Sequence, residues 1–524
     1  MRIGISLMLV VLGLSASAQS VVDSLAVNYA NTITAADLEK HLTILASDEY
    51  EGRETGKRGQ KRAAEYIKMY FTNLGIKPCV DGSYYQEVPL KSESNNASTI
   101  VVNNKEFKFI DDFFFWSGFE AQLLKDEEVV FAGYGIDTPD YNDYNGLDAE
   151  GKIVLVLETE PVDKAGNSLI SESKEFSDWS LDWKLKREAA EKHGAKAMLV
   201  IKENYAMYMS RVKYWLETPG LRLDYEEKRG KDIIPTLFVG EKLANEMFPE
   251  KDRKKWEDKL QAKGKAKALK PYQGVSVNIS KEKTEVKSEN VLCYIEGSDP
   301  ELKHELVVIT AHYDHIGIVD GEINNGADDD GSGTVSALEI AEAFQTAKKD
   351  GNGPRRSILI MTVTGEEKGL LGSEWYAANP IFPLENTVCN LNIDMIGRVD
   401  EAHADDHNYI YIIGSDKLST ELHAISEDAN ETYTKMALDY TYNHPDDPNR
   451  FYYRSDHYNF AKNGIPVIFY FSGVHEDYHR PGDDVEKILF NKMENVVKLV
   501  FHTAWDVANR DKKLVVDVEN EFTD

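Results

Sequence analysis

Five short stretches of the chain concentrate the side chains that could do chemistry: His312-Tyr313-Asp314-His315, Gly326-Ala327-Asp328-Asp329-Asp330-Gly331-Ser332-Gly333, Gly365-Glu366-Glu367, Asn392-Ile393-Asp394-Met395 and Asp477-Tyr478-His479. Imidazole nitrogen and carboxylate oxygen are the ligands zinc takes in catalytic sites, where one position stays open for water. A paired site also needs a carboxylate that bridges two ions about 3.5 to 4 Å apart. Two histidines and three carboxylates would give each ion one imidazole, one terminal carboxylate and a share of the bridge. One further carboxylate must stay unligated as a base. The adjacent pair Glu366 and Glu367 suits that division, because neighbouring side chains at a strand end point in different directions. Singly, each stretch has an ordinary explanation. Asp328 to Asp330 fits an exposed acidic turn or a calcium loop, although contiguous aspartates lack the alternating spacing of an EF-hand. A lone His312 fits a structural histidine, and Glu366-Glu367 a solvated surface. Their conjunction at successive strand ends is hard to explain as solvated loops and points to a paired-metal site.

These groups need elements that deliver them to one place. Beyond Ser288 the pattern alternates strand and helix, which predicts a largely parallel sheet covered on both faces. The strands are Leu306 to Ala311, Ile358 to Val363, Val388 to Met395, Tyr409 to Ile413 and Val467 to Phe471; the helices are Ser332 to Ala347, Gly369 to Ala378, Lys417 to Asn430 and Val485 to Val507. Most of the candidate residues follow a strand directly, where open α/β sheets place their ligand sites. Upstream, Thr34-Ala35-Ala36-Asp37 has capping-box spacing, with Leu38, Leu42 and Leu45 at helical intervals behind it. A Gly-bearing turn over Gly52 to Gly59 leads to a second helix marked by Ala63, Ala64, Ile67, Phe71 and Leu74. Between Phe107 and Val286 the texture changes. Val129 to Gly133, Lys152 to Leu157 and Ala197 to Ile201 are short apolar strands, Lys184 to His193 is helical, and the Lys-rich stretch Lys251 to Lys270 fits a solvated helix and linker.

The motif set His312-Tyr313-Asp314-His315, Gly326 to Gly333, Glu366-Glu367, Asp394 and His479 resembles the twin-zinc exopeptidases of peptidase family M28, over Ser288 to about Arg510. Leu45-Ala46-Ser47-Asp48-Glu49 and Gly52-Arg53-Glu54-Thr55-Gly56 are similar to the family's leading helices. The insert resembles a protease-associated domain through Gly133-Tyr134-Gly135, Gly151-Lys152-Ile153-Val154 and Ile234-Pro235. The resemblance implies a three-layer αβα catalytic domain with a mostly parallel mixed sheet, interrupted by a small α+β domain. It implies residues 1–18 as signal peptide, 19–106 as the N-terminal helical part, 107–286 as the insert and 287–524 as the zinc peptidase domain. It also implies two Zn²⁺: Asp329 bridges, His312 and Asp394 complete one ion, and Glu367 and His479 the other. Glu366 is then the general base, Asp314 orients His312 from behind, and Tyr478 is placed to polarise the scissile carbonyl. The implied reaction is removal of N-terminal residues from peptides with a free amine. The same family holds carboxypeptidases, cyclases of N-terminal glutamine and silent relatives that lost their metals. Arg450 and Arg454 are the cations a carboxypeptidase would need nearby. The Asp329-Asp330-Gly331-Ser332-Gly333 turn is intact as in hydrolytic members, and no expected ligand is missing.

Composition agrees with a folded, exported enzyme. The chain has 524 residues, 42 % hydrophobic and 29 % charged, with a net charge of −30 that would repel nucleic acid and anionic lipid. Arg2, the apolar run Ile3 to Leu14 and Ala16-Ser17-Ala18 form a secretory signal, too short for a membrane span. The product is expected outside the cytoplasm. The three cysteines Cys79, Cys293 and Cys389 are too few and too scattered for a disulfide scaffold. Asp400 to His407, with His403, Asp405, Asp406 and His407, fits a solvated loop or an additional ion site. The aromatic stretches Asn443 to Asp456 and Phe469 to Val474 are candidates for the substrate side-chain pocket.

Overall fold

The computed structural model describes residues 22–116, 119–224 and 233–521. The expected signal sequence lies outside the described residues. The chain forms two compact units, Met1–Val88 with Lys287–Asp524, and Pro89–Val286.

In the first unit the sheet runs, starting from its Ala437–Asp439 edge, through Tyr409–Ile413, Val467–Phe471, Thr387–Ile393, Leu306–His312, Ser357–Val363 and the Glu282–Ile295 strand to the Tyr85–Ser94 strand. The four central strands are parallel, while Tyr409–Ile413 and Glu282–Ile295 run antiparallel to their inner neighbours. The sheet is therefore mixed around a parallel centre. Central strands are apolar along their whole length because both faces are covered. Alternation sends Val307, Ile309 and Ala311 to one face and Leu306 and Val308 to the other. The first face packs under helices Ala35–Leu45, Arg58–Asn73, Gly333–Lys349 and Phe490–Asn509, and the second under Leu371–Ala378 and His457–Ala461. Helix, sheet and helix make three layers.

The N-terminal helix starts where its sequence predicts. The Thr34 hydroxyl accepts from the Asp37 amide at 3.2 Å, the N-cap half of a capping box, and donates to the Asp37 carboxylate at 2.7 Å. The last helix begins at Phe490 rather than Val485, because Val485–Lys487 forms a 3₁₀ turn first. All three cysteines are free thiols.

The second unit holds its own sheet, in the order Lys105–Lys108, Thr99–Val102, Tyr272–Ile279, Gln122–Phe131, Ile153–Leu157, Ala197–Ile201, Thr236–Val239 and Phe113–Phe114. Its inner strands from Gln122–Phe131 to Thr236–Val239 are parallel, and its core centres on residues such as Val129, Val154, Leu199 and Leu237. The boundary falls at Pro89 and not at Phe107, because Thr99–Val102 pairs with Tyr272–Ile279 and Leu90–Glu93 with Gly220–Leu223. Those strands are too short for periodicity to assign them to either unit. Lys251 to Lys270 is a helix over Glu250–Lys263, with Trp256 and Leu260 buried beneath its charged face. No helix among the described residues is long and apolar enough to cross a membrane.

Candidate metal centre

Every candidate residue of the five stretches sits at the carboxyl end of the parallel strands in the first unit. His312 ends its own strand, Asp394 follows Thr387–Ile393, and Glu366 and Glu367 follow Ser357–Val363 by way of Thr364 and Gly365. Glu366 and Glu367 lie in a 3₁₀ turn, Glu366–Lys368, rather than on the strand, and that turn sends their carboxylates apart.

Asp329 stands between two clusters. Its Oδ1 is 3.4 Å from His312 Nε2, and its Oδ2 is 3.1 Å from His479 Nε2. His312 Nε2 also lies 3.7 Å from Asp394 Oδ1, and His479 Nε2 lies 3.1 Å from Glu367 Oε2. His312, Asp329 and Asp394 converge closely enough to hold one ion, and His315, Asp329 and Glu367 to hold another. Asp329 Oδ2 is buried without a hydrogen-bond donor. A buried anionic oxygen needs a compensating charge, and a pair of divalent cations on either side of Asp329 would supply it. The donor set of imidazole and carboxylate is that of zinc. The residues therefore fit two such ions.

The surroundings hold these ligands in place. Ser455 Oγ donates to Asp394 Oδ2 at 2.7 Å and accepts from Asn392 Nδ2 at 2.8 Å. The Asp483 carboxylate accepts from the amides of Asp328 and Asp329, both at 3.0 Å, which pins the backbone beneath the bridging aspartate. The Asp330 carboxylate accepts from the amides of His312 at 3.0 Å and Gly333 at 2.8 Å. Arg53 is 1 % exposed and donates to the carbonyls of Tyr313, Leu45, Asn325 and Gly326. Asp314 is placed differently from expectation. His312 Nδ1 lies 3.1 Å from the Asp314 carbonyl oxygen and 3.9 Å from its carboxylate. That carboxylate instead accepts from Thr55 Oγ1 at 2.6 Å and the Glu366 amide at 3.3 Å.

Charge crowding shifts the ionisable groups. Burial, reinforced by Glu367 and Asp394 against the pull of His312, pushes Glu366 well above the usual carboxylate range. Burial and Asp329 work against ionisation of Glu367 too, but hydrogen bonds from His315 and His479 bring it down to about 2. His479 is raised to about 10: burial opposes the charge, and Asp329 and Glu367 outweigh it. Burial likewise opposes charge on His312, yet Glu366, Asp394 and Asp329 hold it well above the usual range.

A cleft at this centre is lined by the polar groups of Asp329, Glu366, Asp394, Tyr478 and His479 and by the apolar side chains of Met395, Phe451, Phe469, Phe471 and Val474. Arg454 stands at the same cleft, its guanidinium 4.9 Å from the Phe451 ring centroid, and its Nη2 is 3.5 Å from Tyr478 Oη. Arg450 stacks over Tyr453. Tyr478 stacks on His479 with ring centroids 3.9 Å apart. His403 is not brought to this centre: its Nδ1 pairs with Asp400 at 3.0 Å and its ring stacks on Tyr409. The segment Asp400 to His407 forms none of the clustered ligand groups among the described residues.

Arg53 and His315 stand inside motifs visible in the sequence but carry no role there, and Asp483 stands outside them; an arginine donating only to carbonyls or an aspartate accepting only backbone amides leaves no spacing signature.

Residues 290–504 match the family model described as Peptidase family M28. The chain is 28 % identical over 220 residues to "Aminopeptidase YwaD" of Bacillus subtilis (strain 168), covering 40 % of this chain and 43 % of that protein. It is 31 % identical over 246 residues to "Probable leucine aminopeptidase" of Arthroderma benhamiae, covering 45 % of this chain and 64 % of that one. The chain thus spans about half the length of these curated relatives. In fold it is similar to "Aminopeptidase from Aneurinibacillus sp. strain AM-1", with a TM-score of 0.52 at 19 % identity over 94 % of this chain and 98 % of the other.

Proposed function

Since residues 290–504 belong to peptidase family M28, we propose that the protein is an exported aminopeptidase that binds two Zn²⁺ and removes N-terminal residues from peptides with a free amine. The observation that carries this reading is Asp329, buried between His312 and His479 with one carboxylate oxygen toward each. His312 and Asp394 would complete one ion, and Glu367 and His479 the other, as the sequence resemblance implies. When bound, two zinc ions acidify a water and polarise the substrate carbonyl.

The chain's own groups do the rest. Glu366 belongs to neither ligand cluster and faces the cleft, 3.8 Å from His312 Nε2. Its carboxylate, whose pKa burial raises, would take a proton from the attacking water and pass it to the leaving amine as general base. Tyr478 Oη would steady the developing oxyanion from the cleft wall. Phe451, Phe469, Phe471 and Val474 offer an apolar surface to the residue being released. The acidic groups around the pair favour a substrate ammonium at the same mouth.

The test is zinc content with release of p-nitroaniline from a panel of aminoacyl-p-nitroanilides, for the mature protein and its Glu366→Ala variant. The reading expects about two zincs per chain in both, and turnover lower by about 10²- to 10⁴-fold in the variant. Cleavage of N-blocked substrates alone, or cyclisation of N-terminal glutamine, would replace it with the carboxypeptidase or cyclase reading. A chain without metal would be a scaffold.

A further inference from the structure

His315 lies within ligand reach of Asp329 and Glu367 but is no part of the ligand set carried over from the family, and it is the most enclosed imidazole of the centre, with 0 % of its surface exposed. Its Nδ1 lies 2.7 Å from Glu367 Oε1, a full hydrogen bond, and 3.7 Å from Asp329 Oδ2. Its Nε2 is buried with no partner. Glu367 is therefore divided: Oε1 faces His315, and Oε2 faces His479 at 3.1 Å. Two ligands sharing a tetrahedral ion at 2.0–2.1 Å are separated by about 3.3 Å. The His479 contacts to Glu367 and Asp329, both 3.1 Å, approach that separation. The 2.7 Å contact is a hydrogen-bond length instead.

We infer that His315 is a positioning residue for the second ion. Its Nδ1–H donates to Glu367 Oε1 and so fixes Oε2 toward the metal shared with Asp329 and His479. The proton sits on Nδ1 because, among the described residues, its acceptor Glu367 Oε1 is there and Nε2 has none, while a bare Nε2 tolerates an apolar enclosure better than an N–H would. A carboxylate free to rotate would present either oxygen to the ion; one whose outer oxygen is tied presents a single oxygen in a single direction. Partners of this kind are worth about 10- to 100-fold in metal affinity.

The inference rests on the two-zinc reading, and the experiment separates the two. Zinc affinities of the full mature chain are measured by chelator competition, for the native protein and for His315→Ala, His315→Asn and His315→Gln. Native protein that binds fewer than two zincs overturns the two-zinc reading and the inference with it. If two bind, His315→Ala is expected to weaken one of them about 10- to 100-fold and leave the other unchanged. The Asn amide nitrogen occupies the place of Nδ1 and restores the affinity; the Gln amide reaches the place of Nε2 and does not. Unchanged affinity in His315→Ala, equal loss of both ions, or failure of Asn to exceed Gln overturns the positioning role. Cadmium-113 loaded into ¹⁵N-histidine protein gives a direct check. Coupling to two imidazoles, those of His312 and His479, is expected, and a third coupling lost in His315→Asn would make His315 a ligand and overturn the inference.

Discussion

At the scale of single residues, the centre is an argument about protons. His312 and His479 are held protonated by the carboxylates they face, His479 up to about 10, and Glu366 is pushed up by burial. Metal ligands must be deprotonated, so ion binding displaces those protons. Calorimetric titration of the metal-free chain with zinc at pH 7, in two buffers of different ionisation enthalpy, should show release of about two protons per pair of ions. Apparent affinity should then fall steeply as the pH is lowered; a proton-neutral titration would contradict the charge arrangement. Asp394 offers a second check. Its Oδ2 is held by Ser455, itself held by Asn392. Ser455→Ala frees the carboxylate to turn, and kcat/KM should drop about 10- to 100-fold while the melting temperature moves little.

At the scale of elements, the strand ends place the ligands, and a second set of segments keeps the loops still. Arg53 is the clearest case, because its guanidinium ties Leu45, Tyr313, Asn325 and Gly326 together across otherwise separate loops. Burial lowers the Arg53 pKa, and Asp483, Asp329, Asp330 and Asp314 act against that shift, so the residue also offsets negative charge. Arg53→Met would remove the guanidinium from four carbonyls, of which Gly326 keeps the Gly331 amide while Tyr313 and Leu45 lose a buried donor, at a cost of about 3 to 5 kcal/mol in urea unfolding, with weaker zinc binding besides. The helix Phe490–Asn509 makes a different prediction. Its His502 stacks on Tyr433 at 3.7 Å and is held down to about 4 by burial, aided by Lys498 and opposed by Asp23. Between pH 6.5 and about 4 the unfolded chain binds a proton that the folded chain refuses, so stability falls as the pH falls. His502→Phe keeps the stack and should remove about 2 kcal/mol of the loss seen between pH 7 and pH 5.

These elements show what could be foreseen. Apolar runs such as Leu306–His312 declare themselves, and acidic or imidazole groups directly after them are visible in one dimension. The capping box at Thr34 is equally local. Arg53 acts mostly through carbonyls some 260 to 273 residues away, His315 through a side chain 52 residues on, and Asp483 through backbone amides, and nothing in local spacing records that. The boundary at Pro89 was hidden for a related reason: Thr99–Val102 is four residues long and finds its partner at Ser276 to Asn278.

At the scale of the whole molecule, two units with separate cores share one chain, and every group of the metal centre comes from the first. An ion that binds only the folded state stabilises by RT ln(1 + [L]/Kd), about 2.7 kcal/mol at a hundredfold excess over Kd. That energy belongs to the unit that supplies the ligands. Calorimetric unfolding should therefore resolve two transitions. A strong chelator should lower one of them by about 5 °C or more, at roughly 2 to 4 °C per kcal/mol for a unit of this size, and leave the other in place. Zinc added back should restore the first. The effect should be large because metal removal leaves Asp329, Glu366, Glu367 and Asp394 facing each other in a protein already carrying −30, with the nearby imidazoles and Arg53 to offset them. Equal displacement of both transitions would mean that Pro89–Val286 unfolds with the catalytic unit as one cooperative body. A chelator-insensitive scan would mean that the carboxylate cluster is stabilised by its histidines alone.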